Sequence, residues 1–80
     1  MRLPRNLTGA ELIRQLAKLG YCQTRQTGSH VRMTCDAPYQ HHVTIPLHDP
    51  LRIGTLSAIL GAVAEAQKIG RDELLERLFG

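Results

Sequence analysis

The feature that most constrains the fold is a change of hydrophobic period in the first half of the chain. Between Tyr21 and Thr34 polar and apolar residues alternate with a period of two, which is the pattern of a half-buried β-strand. The dipeptide Gly28-Ser29 lies inside this segment, and glycine tolerates the positive φ that a two-residue hairpin turn requires. The segment therefore predicts a β-hairpin whose register is set by its turn.

That turn determines which side chains share a face of the hairpin. Pairing Thr27 with His30 places Arg25 opposite Arg32 and, farther from the turn, Cys22 opposite Cys35. The face expected to point into the core carries Cys22, Thr24, Val31, Met33 and Cys35. The opposite, polar face is expected to carry Gln23, Arg25, Thr27, His30, Arg32 and Thr34. The alternation therefore gathers two arginines and a histidine on one polar surface.

A capping box precedes the hairpin. In the segment 8–11 the hydroxyl of Thr8 and the carboxylate of Glu11 can satisfy each other's free backbone donors. Apolar residues then recur at helical spacing, and Gly20 stands where a left-handed C-terminal cap is expected. We therefore expect a first helix from about Gly9 to Leu19.

A third strand is expected after a turn at residues 36–40. Its alternating apolar side chains, which should face the core, are Val43, Ile45 and Leu47. Pairing as a meander would place His42 and His48 on the same polar surface as His30. Pro46 lacks an N–H and therefore indicates an edge strand near its end.

Two more helices are expected beyond the third strand. A clean apolar stripe predicts a second helix that opens at Gly54-Thr55 and ends at Ile69-Gly70, and a short third helix should span Arg71 to Leu78. The order helix, three strands, helix, short helix predicts an α+β fold, with helices on one face of a three-stranded antiparallel sheet. Because the chain has 80 residues, we expect a single domain over residues 1–80.

The charge is concentrated in the first half of the chain. Residues 1–35 hold six basic side chains, Arg2 among them, against one acid, whereas residues 36–80 hold four basic side chains and six acids. A basic half suggests an anionic partner such as nucleic acid, although a solvated basic face gives the same count. Three aromatic residues are too few to form a platform that stacks single-stranded bases.

Location and redox state follow from what the chain lacks. No apolar stretch is long enough to cross a bilayer, and no apolar run follows the basic N-terminus. We therefore expect a cytoplasmic protein with no membrane partner. In that reducing compartment Cys22 and Cys35 should remain thiols.

Most kinds of chemical site find little support in the sequence. His41 and His42 are adjacent, so they should point to opposite sheet faces, and no carboxylate pair accompanies the histidines; we therefore expect no metal and no small-molecule cofactor. The amides near Thr55 suit either a phosphate or a simple helix cap. Asp49 suits either the orientation of a histidine or the shape of an Asp-Pro turn.

His30 remains, directly after the turn and between Arg25 and Arg32 on the polar surface. A histidine titrates near neutral pH, and arginines bind phosphate and stabilise the charge that develops on it. RNA carries its own nucleophile in the 2′-hydroxyl, so a base and nearby cations suffice for cleavage without a metal. A histidine at the end of a hairpin is also commonly a plain surface residue.

Several blocks of the sequence, in order, closely resemble the HicA (YcfA-like) toxin family. The blocks are Leu12 to Tyr21, then Arg25-Gln26-Thr27-Gly28-Ser29-His30, then His42 to His48, and finally Gly54 to Leu60. The most specific marker is the Gly-Ser-His triplet after the helix. The lysine that usually precedes it is replaced by Thr27, and the second histidine found in many relatives is replaced by Val31.

The resemblance implies a double-stranded-RNA-binding-domain-like fold and a type II toxin that cleaves mRNA without metal until a HicB-like antitoxin masks it. His30 matches the catalytic position. We assign Arg25, Arg32, Ser29, His42 and His48 as RNA contacts. The alternatives are a non-catalytic double-stranded RNA-binding module and a degenerate toxin that acts only through its antitoxin.

Overall fold

Six elements follow one another in the computed structural model, which describes residues 3–80. They are α1 (Gly9–Ala17), β1 (Cys22–Thr27), β2 (His30–Cys35), β3 (His41–Pro46), α2 (Ile53–Gln67) and α3 (Arg71–Phe79). This order confirms the expected α+β, double-stranded-RNA-binding-domain-like arrangement. Arg2, which was counted with the basic half, lies outside the described residues. Within residues 3–80 the longest helix has 15 residues, too few to span a membrane.

The first helix begins with the predicted capping box. Thr8 Oγ1 accepts a hydrogen bond from the Glu11 amide at 3.0 Å, and Glu11 Oε1 accepts one from the Thr8 amide at 2.9 Å. The helix ends at Ala17, two residues earlier than expected, because the last turn tightens into i to i−3 hydrogen bonds that continue to Gly20. Gly20 has the expected left-handed conformation, with φ of 91°.

The strands form an antiparallel sheet in the order β1-β2-β3, so β3 with Pro46 is an edge strand as predicted. The three pairs nearest the hairpin turn have the predicted register: Thr27 with His30, Gln26 with Val31 and Arg25 with Arg32. A β-bulge at Thr24 then shifts the pairing, and Cys22 lies opposite Thr34. The predicted pairing of Cys22 with Cys35 is therefore wrong.

The bulge also changes which face three residues occupy. Cys22 and Thr24 were expected in the core, but both are exposed. Gln23 was expected on the polar face, but it lies opposite the core residue Met33 and therefore on the core side of the sheet, where it is exposed. The hydroxyl of Thr24 lies 2.7 Å from that of Thr34, on the polar side of the sheet. An extra residue in one strand reverses the alternation beyond it, which explains why the error begins at the bulge and not at the turn.

The core lies between the other face of the sheet and the helices. α1 and α2 pack mainly against β3, and α3 closes over both helices. The most deeply buried side chains are Leu12, Leu16, Tyr21, Val31, Met33, Ile45, Leu56, Leu60, Val63, Leu74 and Leu78. Leu47 was expected among them but is 38% exposed, because β3 ends at Pro46, one residue before it.

Candidate functional site

The sheet surface opposite the helices carries a set of polar side chains from all three strands. We call this surface the polar face and define it by Thr24, Arg25, Thr27, His30, Arg32, Thr34, His42 and Thr44. Strand pairing arranges it in rows, with Thr44 opposite Arg32 and His42 opposite Thr34. Most of these side chains are exposed, whereas Arg32 is half-buried and Thr34 is buried among its neighbours.

His30 and two arginines occupy one end of the polar face. His30 is the first residue of β2 and is exposed; Arg32 lies two residues along the same strand, on the same side and about 7 Å away by strand geometry. Arg25 is the direct cross-strand partner of Arg32. Within residues 3–80 neither arginine forms a salt bridge with a carboxylate. The structure therefore brings together the three residues on which the sequence argument rests, with both cations available to an anion.

A chain of hydrogen-bonding side chains crosses the middle of the polar face. Arg32 Nε donates to Thr24 Oγ1 at 3.4 Å, and the hydroxyl of Thr24 lies 2.7 Å from that of Thr34. Thr34 Oγ1 in turn lies 2.8 Å from His42 Nδ1. Because a hydroxyl both donates and accepts, His42 keeps this bond whichever ring nitrogen carries the proton. The chain fixes the imidazole of His42 and the guanidinium of Arg32 on the sheet.

The segment after β3 returns to the hairpin turn. The Leu47 amide donates to the carbonyl of Ser29 at 2.7 Å, and the Gly9 amide donates to the carbonyl of His48 at 2.9 Å. Ser29 therefore holds this segment through its backbone. His48 lies two residues beyond β3, is exposed, and stands at the same end of the sheet as His30. His42 stands at the other end.

His41 has a structural role that sequence reasoning did not identify. Because a carbonyl can only accept, His41 Nδ1 donates to the carbonyl of Tyr39 at 2.7 Å. His41 Nε2 therefore accepts from the Tyr21 hydroxyl at 2.6 Å. Gln67 of α2 donates to the same hydroxyl at 3.2 Å. Burial raises the pKa of Tyr21 above its ordinary value. This network ties β3 to α2, on the opposite side of the sheet from His42, as the alternation predicted.

The remaining candidates from the sequence differ in outcome. Cys35 is a buried thiol as expected, whereas Cys22 is exposed. α2 begins at Ile53 with Arg52 at its N-cap and no side-chain cap, so Thr55 does not cap it. A groove of about 430 Å³ lies beside this terminus, lined by Arg5, Asn6 and residues 50–53. Within residues 3–80 no three metal-ligating side chains come together.

A known protein family matches this chain over most of its length. The sequence model of a family described as the HicA toxin of bacterial toxin-antitoxin matches residues 9–65, which is more than half of the chain. No curated protein and no solved structure gives a significant match. The matched segment runs from the first residue of α1 into α2 and includes all of the polar face and His48. The chain therefore belongs to the HicA family of bacterial toxins.

Proposed function

We propose that this toxin is a metal-independent endoribonuclease that cleaves mRNA, with His30 as its acid/base residue. The observation that supports this most strongly is the placement of exposed His30 beside Arg25 and Arg32, whose charges no carboxylate within residues 3–80 neutralises. Cations in this state favour a polyanion over a neutral ligand. Membership of a toxin family accounts for a destructive activity rather than simple RNA binding.

The chemistry requires little from the protein. Imidazole at His30 removes the proton from a 2′-hydroxyl, and the resulting oxygen attacks the adjacent phosphorus. Negative charge then builds up on the phosphate oxygens, where the guanidinium groups of Arg25 and Arg32 stabilise it. Because the nucleophile belongs to RNA itself, DNA of the same sequence should bind to the polar face and remain intact.

The shape of the site favours an extended RNA strand as substrate. The polar face is an open sheet surface, and its residues are spread along β2 from His30 to Thr34 instead of lining a pocket. Arg25, Arg32 and His42 provide contacts along the backbone of the strand, and Ser29 provides one at the turn. Contacts of this kind bind phosphate and sugar and give little sequence preference.

Incubation of the purified protein with mRNA in the presence of a chelator tests this proposal. We expect cleavage of mRNA and no cleavage of single-stranded DNA of the same sequence. Retention of intact RNA on the protein would instead indicate the double-stranded RNA-binding module, for which the fold alone is sufficient. A protein that neither binds nor cleaves the RNA would be a degenerate toxin whose remaining partner is its antitoxin.

A further inference from the structure

His42 and His48, which are exposed like His30, lie at different distances from it. His42 is opposite Thr34, four residues along β2 from His30, which puts its Cα about 14 Å from that of His30. Pro46 is the direct partner of His30, and the hydrogen bond from Leu47 to Ser29 continues this pairing by one residue, so extended backbone puts the Cα of His48 about 8 Å from that of His30. Only the second separation allows two imidazoles to reach the same phosphodiester.

The backbone at His48 is held in place although β3 has already ended. On one side the Leu47 amide donates to Ser29, directly before His30 in the chain. On the other side the Gly9 amide, at the start of α1, donates to the His48 carbonyl. A Cβ at Gly9 would overlap the carbonyl oxygen of Pro46, so this close approach of helix and strand requires glycine. His48 is therefore attached to both the hairpin and α1.

We propose that His48 is the second proton-transfer residue of the site and acts as the general acid. The inference rests on the proposed ribonuclease activity and extends it. Cleavage of RNA needs one group to take a proton from the 2′-hydroxyl and another to give a proton to the leaving oxygen on the far side of the phosphorus. His30 serves the first need, and His48 is the histidine near enough to serve the second. His42 is a binding residue, held by the chain of threonines.

The reaction balances with these two residues. His30 takes the proton of the 2′-hydroxyl as the bond between the 2′-oxygen and phosphorus forms. The bond between phosphorus and the 5′-oxygen breaks, and its electron pair leaves on that oxygen, which takes a proton from the imidazolium of His48. The products are a 2′,3′-cyclic phosphate and a 5′-hydroxyl. His30 is then protonated and His48 neutral, and exchange with water restores both.

The test compares two versions of one RNA oligonucleotide that contains a bond the wild type cleaves. In one version a sulfur replaces the 5′-bridging oxygen at that bond. A thiolate is a far weaker base than an alkoxide, since thiols titrate near pH 8.5, and it leaves without a proton. We expect His48→Ala to slow cleavage of the oxygen substrate at least about 100-fold and the sulfur substrate to recover most of that loss. His30→Ala should stay slow on both substrates.

Two variants serve as controls. His42→Ala should weaken RNA binding and change cleavage of both substrates by the same factor, and His48→Gln should fold as the wild type does and show the same sulfur rescue as His48→Ala. The role of His48 would be overturned, and the proposed function left intact, by either of two results. One is that His48→Ala loses the same factor in cleavage rate on both substrates; the other is that His48→Ala cleaves at the wild-type rate while His30→Ala is inactive. Wild-type cleavage by His30→Ala would contradict the proposed function itself.

Discussion

Individual charges on the polar face matter through their position and not through their number. Arg25 and Arg32 form a cross-strand pair of like charge, which is unfavourable in the free protein, and the Nε of Arg32 is already bound to Thr24. A phosphate between the two guanidinium groups would relieve that repulsion. Arg77 on α3 provides the contrast, because its charge is paired with Glu73.

The contribution of the two arginines is measurable through salt. Arg25→Ala and Arg32→Ala should each flatten the slope of log affinity against log salt concentration by about 0.7, because one fewer counterion is released from single-stranded RNA. Arg77→Ala should leave the slope unchanged. Titrations of a non-cleavable RNA analogue at several salt concentrations measure this. If neither arginine changes the slope, the polar face is not the RNA surface.

How well single residues were predicted depends on their distance from the turn. His30, Arg25 and Arg32 were placed correctly because a two-residue turn sets the register of its nearest pairs. Thr24 was misplaced because a bulge leaves no clear mark in an alternating sequence. His41 was not identified because its partner Tyr21 is 20 positions away and meets it only in the folded structure.

Among the elements, α1 does more than cover the core, since its first residue fixes the position of His48. The capping box at its start determines where that first residue lies. Thr8→Ala removes the side-chain cap and should lower the free energy of unfolding by about 1 kcal/mol, whereas Thr8→Ser should retain the cap and nearly all of the stability. Urea denaturation at neutral pH measures both. Equal stability of the alanine variant and the wild type would contradict this role of the cap.

The same cap should make stability depend on acid. Hydrogen bonds from the backbone and side chain of Thr8 lower the pKa of Glu11 below its ordinary value. A carboxyl whose pKa is lowered by folding stabilises the protein above its unfolded pKa, and this contribution disappears as the pH falls through the folded pKa. Denaturation between pH 6 and about pH 3 should therefore show a smaller acid-induced loss in Glu11→Gln than in wild type. An identical pH dependence in both proteins would exclude this linkage.

At the scale of the elements, the sequence predicted type and order but not every boundary. The capping box and apolar stripes located the helices, and the early end of α1 reflects a tightened last turn that periodicity does not distinguish from helix. The third strand was expected to include Leu47, which continues the alternation in the sequence, but β3 ends at Pro46 and Leu47 is partly exposed.

The whole molecule has two unlike sides, with helices packed on one face of the sheet and the basic polar face open on the other. The proposed ribonuclease activity would require a partner that masks this open face. A HicB-like antitoxin with an acidic surface should therefore protect the amides of β1 and of the hairpin turn from hydrogen exchange, and the complex should not cleave RNA. Protection confined to α2 and α3 would place the antitoxin on the wrong side for this account.

His30 is proposed to take the proton of the 2′-hydroxyl, and the rate of cleavage by purified His30→Ala tests this role most directly. The assay uses saturating RNA in chelator and the wild type in parallel, with RNA affinity and urea stability measured on the same preparations. The rate should fall at least about 100-fold, because a positioned base contributes that much or more. RNA affinity should change far less, and the free energy of unfolding by no more than about 0.5 kcal/mol, as expected for an exposed strand-end residue. Cleavage by His30→Ala at the wild-type rate, or loss of wild-type activity in chelator, would contradict the account.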